Sequence, residues 1–143
     1  MRAKILMIDD DRDLLEVTGA VLEAQGYEFY QAQSGTAGLA RLVDVHPDAV
    51  ILDVMMEDET AGFPVLNAIR MAEEDSELGA FRDVPLLMLT GAQQKLQADL
   101  ERKAGTPLLS TDVFFSEPVE PTELFGALQR MLEHEQVAGE PTT

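Results

Sequence analysis

The sequence has no cysteine. This excludes a disulfide framework and any thiolate metal site, and it fits a reducing compartment. Long hydrophobic runs are missing as well: the apolar stretches are strand-sized, well short of the roughly 20 residues that a membrane span needs. Met1-Arg2-Ala3-Lys4 leads into one of these strands and not into a signal-peptide core. The expectation is therefore a soluble, cytoplasmic protein. Positive charge is scarce too. Lys and Arg number 10 against 27 Asp and Glu, for a formal net charge of −17, and a field of that sign repels nucleic acid and anionic membrane. Neither direct DNA binding nor membrane binding is expected; a partner with basic surface, or a bound cation, is the natural complement. Most glutamates on helices need no role beyond a solvated surface.

What is present is a single alternation of strands and helices. At 143 residues the chain fits one domain with a core of its own. Its centre is Ala49-Val50-Ile51-Leu52-Asp53-Val54-Met55-Met56, an apolar run that holds one carboxylate and breaks into Glu57-Asp58-Glu59. Such a run predicts a parallel strand buried on both faces. Lys4-Ile5-Leu6-Met7-Ile8 predicts a second, ended by Asp9-Asp10-Asp11. Leu14, Val17, Thr18, Val21 and Leu22 then fall on one helical face, with Asp11 or Asp13 serving the first turn and Gly26 as a left-handed stop. Tyr27 to Gln31 is a shorter, more polar strand suited to a sheet edge. Ser34 caps a helix with the stripe Leu39, Leu42, Val43 and His46, ended by Pro47.

After the central strand, Val65, Leu66 and Ile69 mark another helix and Glu73 to Asp83 a polar linker. Val84-Pro85-Leu86-Leu87-Met88-Leu89 is a third buried strand, terminated by Thr90-Gly91. The helix Gln93 to Ala104 keeps only Leu96, Leu100 and Ala104 on its apolar face, which makes it the most loosely held. Val113-Phe114-Phe115 forms the last strand. Pro121 opens a terminal helix carrying Leu124, Phe125, Leu128, Met131 and Leu132. Five strands alternating with five helices predict an α/β fold, a doubly wound parallel sheet covered on both faces. The domain is expected to span 1–136, with a flexible tail over 137–143.

Carboxyl ends of parallel strands share one edge of the sheet, where ligands bind. Asp9, Asp10, Asp53, Thr90 and the segment after Phe115 should converge there. Three carboxylates in one crevice repel one another unless a cation lies among them, and Mg2+, a hard ion that takes oxygen ligands and orients phosphoryl groups, suits them. The chain offers no glycine-rich phosphate loop, Ser–His pair or sugar-type acid pair for other chemistry. Asp53 can itself be a nucleophile that forms an acyl phosphate, and Thr90 can hydrogen-bond a phosphoryl oxygen. Taken alone, Asp53 can equally do no more than end a strand, and Thr90 can equally satisfy its own backbone.

Taken together, these residues resemble the receiver domain of two-component response regulators, over nearly the whole chain from Lys4 to about Leu132. Ile5-Leu6-Met7-Ile8-Asp9-Asp10 looks like that family's first strand and acidic pair. Pro47-Asp48-Ala49-Val50-Ile51-Leu52-Asp53-Val54-Met55-Met56 looks like its phosphoacceptor strand, and Leu89-Thr90-Gly91-Ala92 like the strand carrying its switch hydroxyl. The resemblance implies a flavodoxin-like sheet of order 2-1-3-4-5. It implies that Asp53 is phosphorylated by a sensor histidine kinase or phosphotransfer protein. Mg2+ would be held by Asp10 directly, Asp9 through water, Asp53, and the Met55 backbone carbonyl. Thr90 would then move toward the phosphoryl group and Phe114, at the switch-aromatic position, would repack. A downstream protein, unidentified, would read the change. No enzyme activity is implied beyond self-catalysed phosphorylation and dephosphorylation.

Two departures stand out. The loop Glu57-Asp58-Glu59-Thr60-Ala61-Gly62 is longer than usual and strongly acidic, and Glu117-Pro118 stands where the family has Lys-Pro. An acid there reverses the sign of the contact that the lysine makes with the acceptor and its phosphoryl group. The leading expectation is a stand-alone phosphoacceptor that signals through protein contacts. The alternative is a non-phosphorylated interaction module that keeps the fold. A haloacid-dehalogenase-type phosphatase would need a second acid two residues after its nucleophile, where this chain has Met55. A flavodoxin would need a Ser/Thr-Gly-rich loop where it has Asp9-Asp10-Asp11.

Overall fold

Ile5 to Ile8, Ala49 to Leu52 and Leu86 to Leu89 are all fully buried. Strands with no polar alternation have no solvent side, so they can only lie in the middle of a sheet with helices on both faces. A computed structural model describes residues 3–53, 62–90, 113–116 and 120–139. In chain order its elements are β1 (Lys4–Ile8), α1 (Arg12–Ala24), β2 (Glu28–Ala32), α2 (Gly35–Val45), β3 (Ala49–Asp53), α3 (Gly62–Arg70), a 3-10 turn (Gly79–Phe81), β4 (Leu86–Thr90), β5 (Val113–Ser116) and α4 (Pro121–Gly139). The strands pair in parallel in the order β2-β1-β3-β4-β5. Through the first four the order is the doubly wound one expected, and the backbone of β5 pairs along the outer side of β4. The expected helix Gln93 to Ala104, the loop Glu57-Asp58-Glu59, Met55 and Glu117 lie outside the described residues.

Successive strand residues point to opposite faces, and the core divides accordingly. Leu6, Ile8, Val50, Leu52, Leu86 and Met88 pack with Leu42 of α2 and with Val65, Leu66 and Ile69 of α3. Ile5, Met7, Ala49, Ile51, Leu87 and Leu89 pack with Leu15 and Leu22 of α1 and with Leu124, Ala127, Leu128 and Met131 of α4. Each fully buried Leu or Ile side chain contributes about 1.5–3 kcal/mol, so the two layers share the burden of holding the sheet. Local signals set the helix ends. The Asp11 carboxylate accepts the Leu14 amide at 3.1 Å, the Ser34 hydroxyl accepts the Ala37 amide at 3.2 Å, and Gly26 follows α1 with φ of 95°.

Three expectations need correction. In α1 the buried residues are Leu15, Thr18, Gly19 and Leu22, while Val17 is 52% exposed. The helix turns its glycine to the sheet: a Cβ on Gly19 would sit 2.7 Å from the Phe29 ring. In α2 the buried set is Gly38, Leu42 and Val45, with a Cβ on Gly38 meeting Ile8 at 2.5 Å. His46 is not part of the stripe; it is exposed, in the left-handed region at φ 55°, and ends the helix. The expected polar linker is anchored: Phe81 is buried, Leu78 packs on the same core, and the Arg70 guanidinium donates to the carbonyls of Arg82 and Val84. The helix α4 is described as far as Gly139.

Candidate functional site

Three consecutive acids follow β1, and each takes a different task. Asp9 is 1% exposed. Its amide donates to the carbonyl of Ala32, the last residue of β2, at 3.0 Å, and its carboxylate accepts the Asp11 amide at 2.9 Å. Asp10 is exposed. Asp11 caps α1. Asp53 is the last residue of β3 and is 6% exposed. Since Ile8 pairs with Leu52, the chain after β1 and the end of β3 lie side by side. One carboxylate oxygen from each of Asp9, Asp10 and Asp53 lies within 4.8 Å of the other two.

That spacing suits a shared hard cation. Mg2+ takes oxygen ligands from a few carboxylates and water, so Asp9, Asp10 and Asp53 would hold such an ion, directly or through water, and it would offset their shared negative charge. Without a counter-charge the same three groups repel in a partly water-excluded crevice. The geometry thus answers the sequence expectation for Asp9, Asp10 and Asp53: the three acids meet.

Thr90 ends β4, in register with Ser116 at the end of β5 and one residue past Leu89, which pairs with Asp53. Its backbone is therefore on the sheet edge that carries the acids. Phe114 pairs with Met88 further down the strand. Glu117 is the residue after Ser116, and like Met55 it lies outside the described residues. The hold of the Asp11 amide on Asp9 was not anticipated from the sequence. The signal was there: an Asp whose side chain bonds the backbone two residues on is a common turn before a helix.

The family model described as the response regulator receiver domain matches residues 5–129. The chain belongs to this family. As a receiver it serves in two-component signalling, and receivers generally bind Mg2+ at an acidic pocket such as the one formed by Asp9, Asp10 and Asp53. It is similar to the chemotaxis response regulator CheY4 of Vibrio cholerae, with a TM-score of 0.72 and 28% identity over 92% of this chain and 99% of that one. It is also 29% identical to the DNA-binding response regulator MtrA of Mycobacterium tuberculosis over 92% of this chain and 51% of MtrA. Protein PilG of Pseudomonas aeruginosa is 25% identical over 88% of this chain and 84% of PilG. The receiver spans about half the length of the MtrA relatives it matches. Among the described residues, no helix is long and apolar enough to cross a membrane.

Proposed function

We propose that this receiver accepts a phosphoryl group on Asp53 from a sensor histidine kinase or phosphotransfer protein, and signals through phosphorylation-dependent protein contact as a stand-alone regulator. The observation that carries this reading is the approach of the Asp9, Asp10 and Asp53 carboxylates to within 4.8 Å. In the transfer, an Asp53 carboxylate oxygen attacks phosphorus, a P–O bond forms, the P–N bond to the donor imidazole breaks, and the imidazole leaves with the electron pair. Mg2+, when bound, offsets the negative charge that the acceptor and phosphoryl oxygens bring together. In this reading Asp10, Asp53 and the Met55 backbone carbonyl would hold it directly and Asp9 through water.

Thr90 supplies a hydroxyl to a phosphoryl oxygen and Phe114 responds, which carries the change toward β5. The coverage of CheY4 and PilG supports a receiver that works at this size. The charge of −17 supports an output through protein rather than through direct DNA contact. One residue favours a second reading. Glu117, at the position of the family's lysine, fits a module that binds partners without phosphorylation. Intact mass after incubation with Mg2+ and a small acyl phosphate separates the two. The phosphoacceptor reading requires one added phosphoryl mass, base-labile and absent from Asp53→Asn. No mass gain at saturating donor selects the interaction module.

A further inference from the structure

At the end of α3 the usual order of burial is inverted: Arg70 is 7% exposed, while the next residue, Met71, is 57% exposed. The cause lies across the fold. Arg70 Nη1 donates to the Arg82 carbonyl at 2.7 Å and Nη2 to the Val84 carbonyl at 2.8 Å. Those carbonyls lie between the 3-10 turn and β4, on a stretch whose side chains Phe81 and Val84 are sunk in the α2–α3 core layer. The following carbonyl, of Pro85, accepts the Val50 amide at 3.0 Å and so adjoins the β3–β4 ladder. A planar guanidinium presents two parallel donors to two acceptors, which an ammonium cannot do.

We propose that Arg70 is a positioning residue that locks the end of α3 to the start of β4, so that α3 and residues 82–86 move as one piece. The apolar contacts of Ile69, Phe81 and Val84 are non-directional and allow sliding. The two hydrogen bonds are directional and do not. A displacement imposed where α3 begins, at Gly62, is then delivered to residues 82–86 at its far end. The signalling consequence of the lock rests on the reading that Asp53 is phosphorylated; the lock itself does not.

The test uses the full chain as wild type, Arg70→Met and Arg70→Lys, with two readouts. In the resting protein, Arg70→Met should speed hydrogen exchange at the amides of Arg82, Val84 and Leu86 about tenfold, with Ile5 to Ile8 unchanged and Arg70→Lys intermediate. With Mg2+ and beryllofluoride as the probe, wild type should show chemical-shift changes both at Leu52 and Asp53 and at Arg82 to Leu86. Arg70→Met should keep the first set and lose the second. Unaltered exchange at 82–86, or a wild-type-like response there in Arg70→Met, overturns the proposal. If beryllofluoride moves nothing at Leu52 and Asp53 in wild type, the phosphorylation reading fails and exchange alone decides the lock. Should Arg70→Met not fold, Arg70→Lys carries both readouts.

Discussion

Replacing Asp53 by asparagine should make the metal-free protein more stable. Asp9 and Asp53 are 1% and 6% exposed, and their carboxylate oxygens lie within 4.8 Å. Two unit negative charges at that distance repel by about 3 kcal/mol at an effective dielectric of about 20. Asparagine keeps the shape and removes the charge. Part of the gain is lost, because a neutral amide accepts hydrogen bonds less strongly than a carboxylate, by about 1–2 kcal/mol. Asp10 is exposed and screened by water, so its share is small. A net gain of about 1–2 kcal/mol remains, and for a domain of this size each kcal/mol raises the melting temperature by about 3 °C. Thermal melts in a chelator and in saturating Mg2+ measure it. In chelator Asp53→Asn should melt about 3–6 °C above wild type; in Mg2+ the gap should close, since the ion stabilises wild type more. Because the pair is buried, the effect should persist in high salt. A variant that melts at or below wild type in chelator would refute the argument that these two charges repel across the crevice.

Two further predictions concern neighbouring acids. Asp10→Asn should weaken Mg2+ binding, measured by titration calorimetry, well beyond Asp11→Asn; Asp11→Ala should instead cost about 1 kcal/mol of stability through the lost α1 cap. Equal losses of affinity from Asp10→Asn and Asp11→Asn would mean that the wrong acid has been assigned to the site. If position 117 faces the site as the family's lysine does, Glu117→Lys should lower resting Mg2+ affinity, because it would put a positive charge near the ion. It should also enlarge the chemical-shift response of Thr90 and Phe114 to beryllofluoride, since a phosphoryl group carries close to two negative charges that an adjacent carboxylate repels. If neither quantity changes, Glu117 does not face the site.

Much of this arrangement is legible in the chain. Ile5 to Ile8, Ala49 to Leu52 and Leu86 to Leu89 announce strands buried on both faces, because no residue among them could face water at low cost. The acids that terminate the first two runs are placed on the ligand edge by the parallel topology alone. Asp11, Ser34 and Gly26 mark helix ends through local chemistry that needs no partner from elsewhere in the fold. So the fold class, the order of the described elements and the meeting of Asp9, Asp10 and Asp53 at one sheet edge follow from patterns read along the chain.

Which side of a helix is buried did not follow. Val17 was an acceptable core residue by spacing, yet α1 turns Gly19 toward Phe29 and leaves Val17 exposed, because close approach to the sheet depends on the shape of a side chain from another element. The same holds for Gly38 against Ile8 in α2. Nor could spacing tell that Asp9 is buried while Asp10 stays exposed. That is decided by the bond from the Asp9 amide to Ala32 on the neighbouring strand and by the use of Asp11 as a cap. Arg70 is the clearest case: its sequence position at a helix end suggests solvent, and its burial depends on two carbonyls beyond the 3-10 turn. Hydrophobic pattern and capping residues act over a few residues and are read from the chain directly. Steric fit between elements and the pairing of distant polar groups exist only once the sheet has assembled, and those decided that Asp9 and Arg70 are buried.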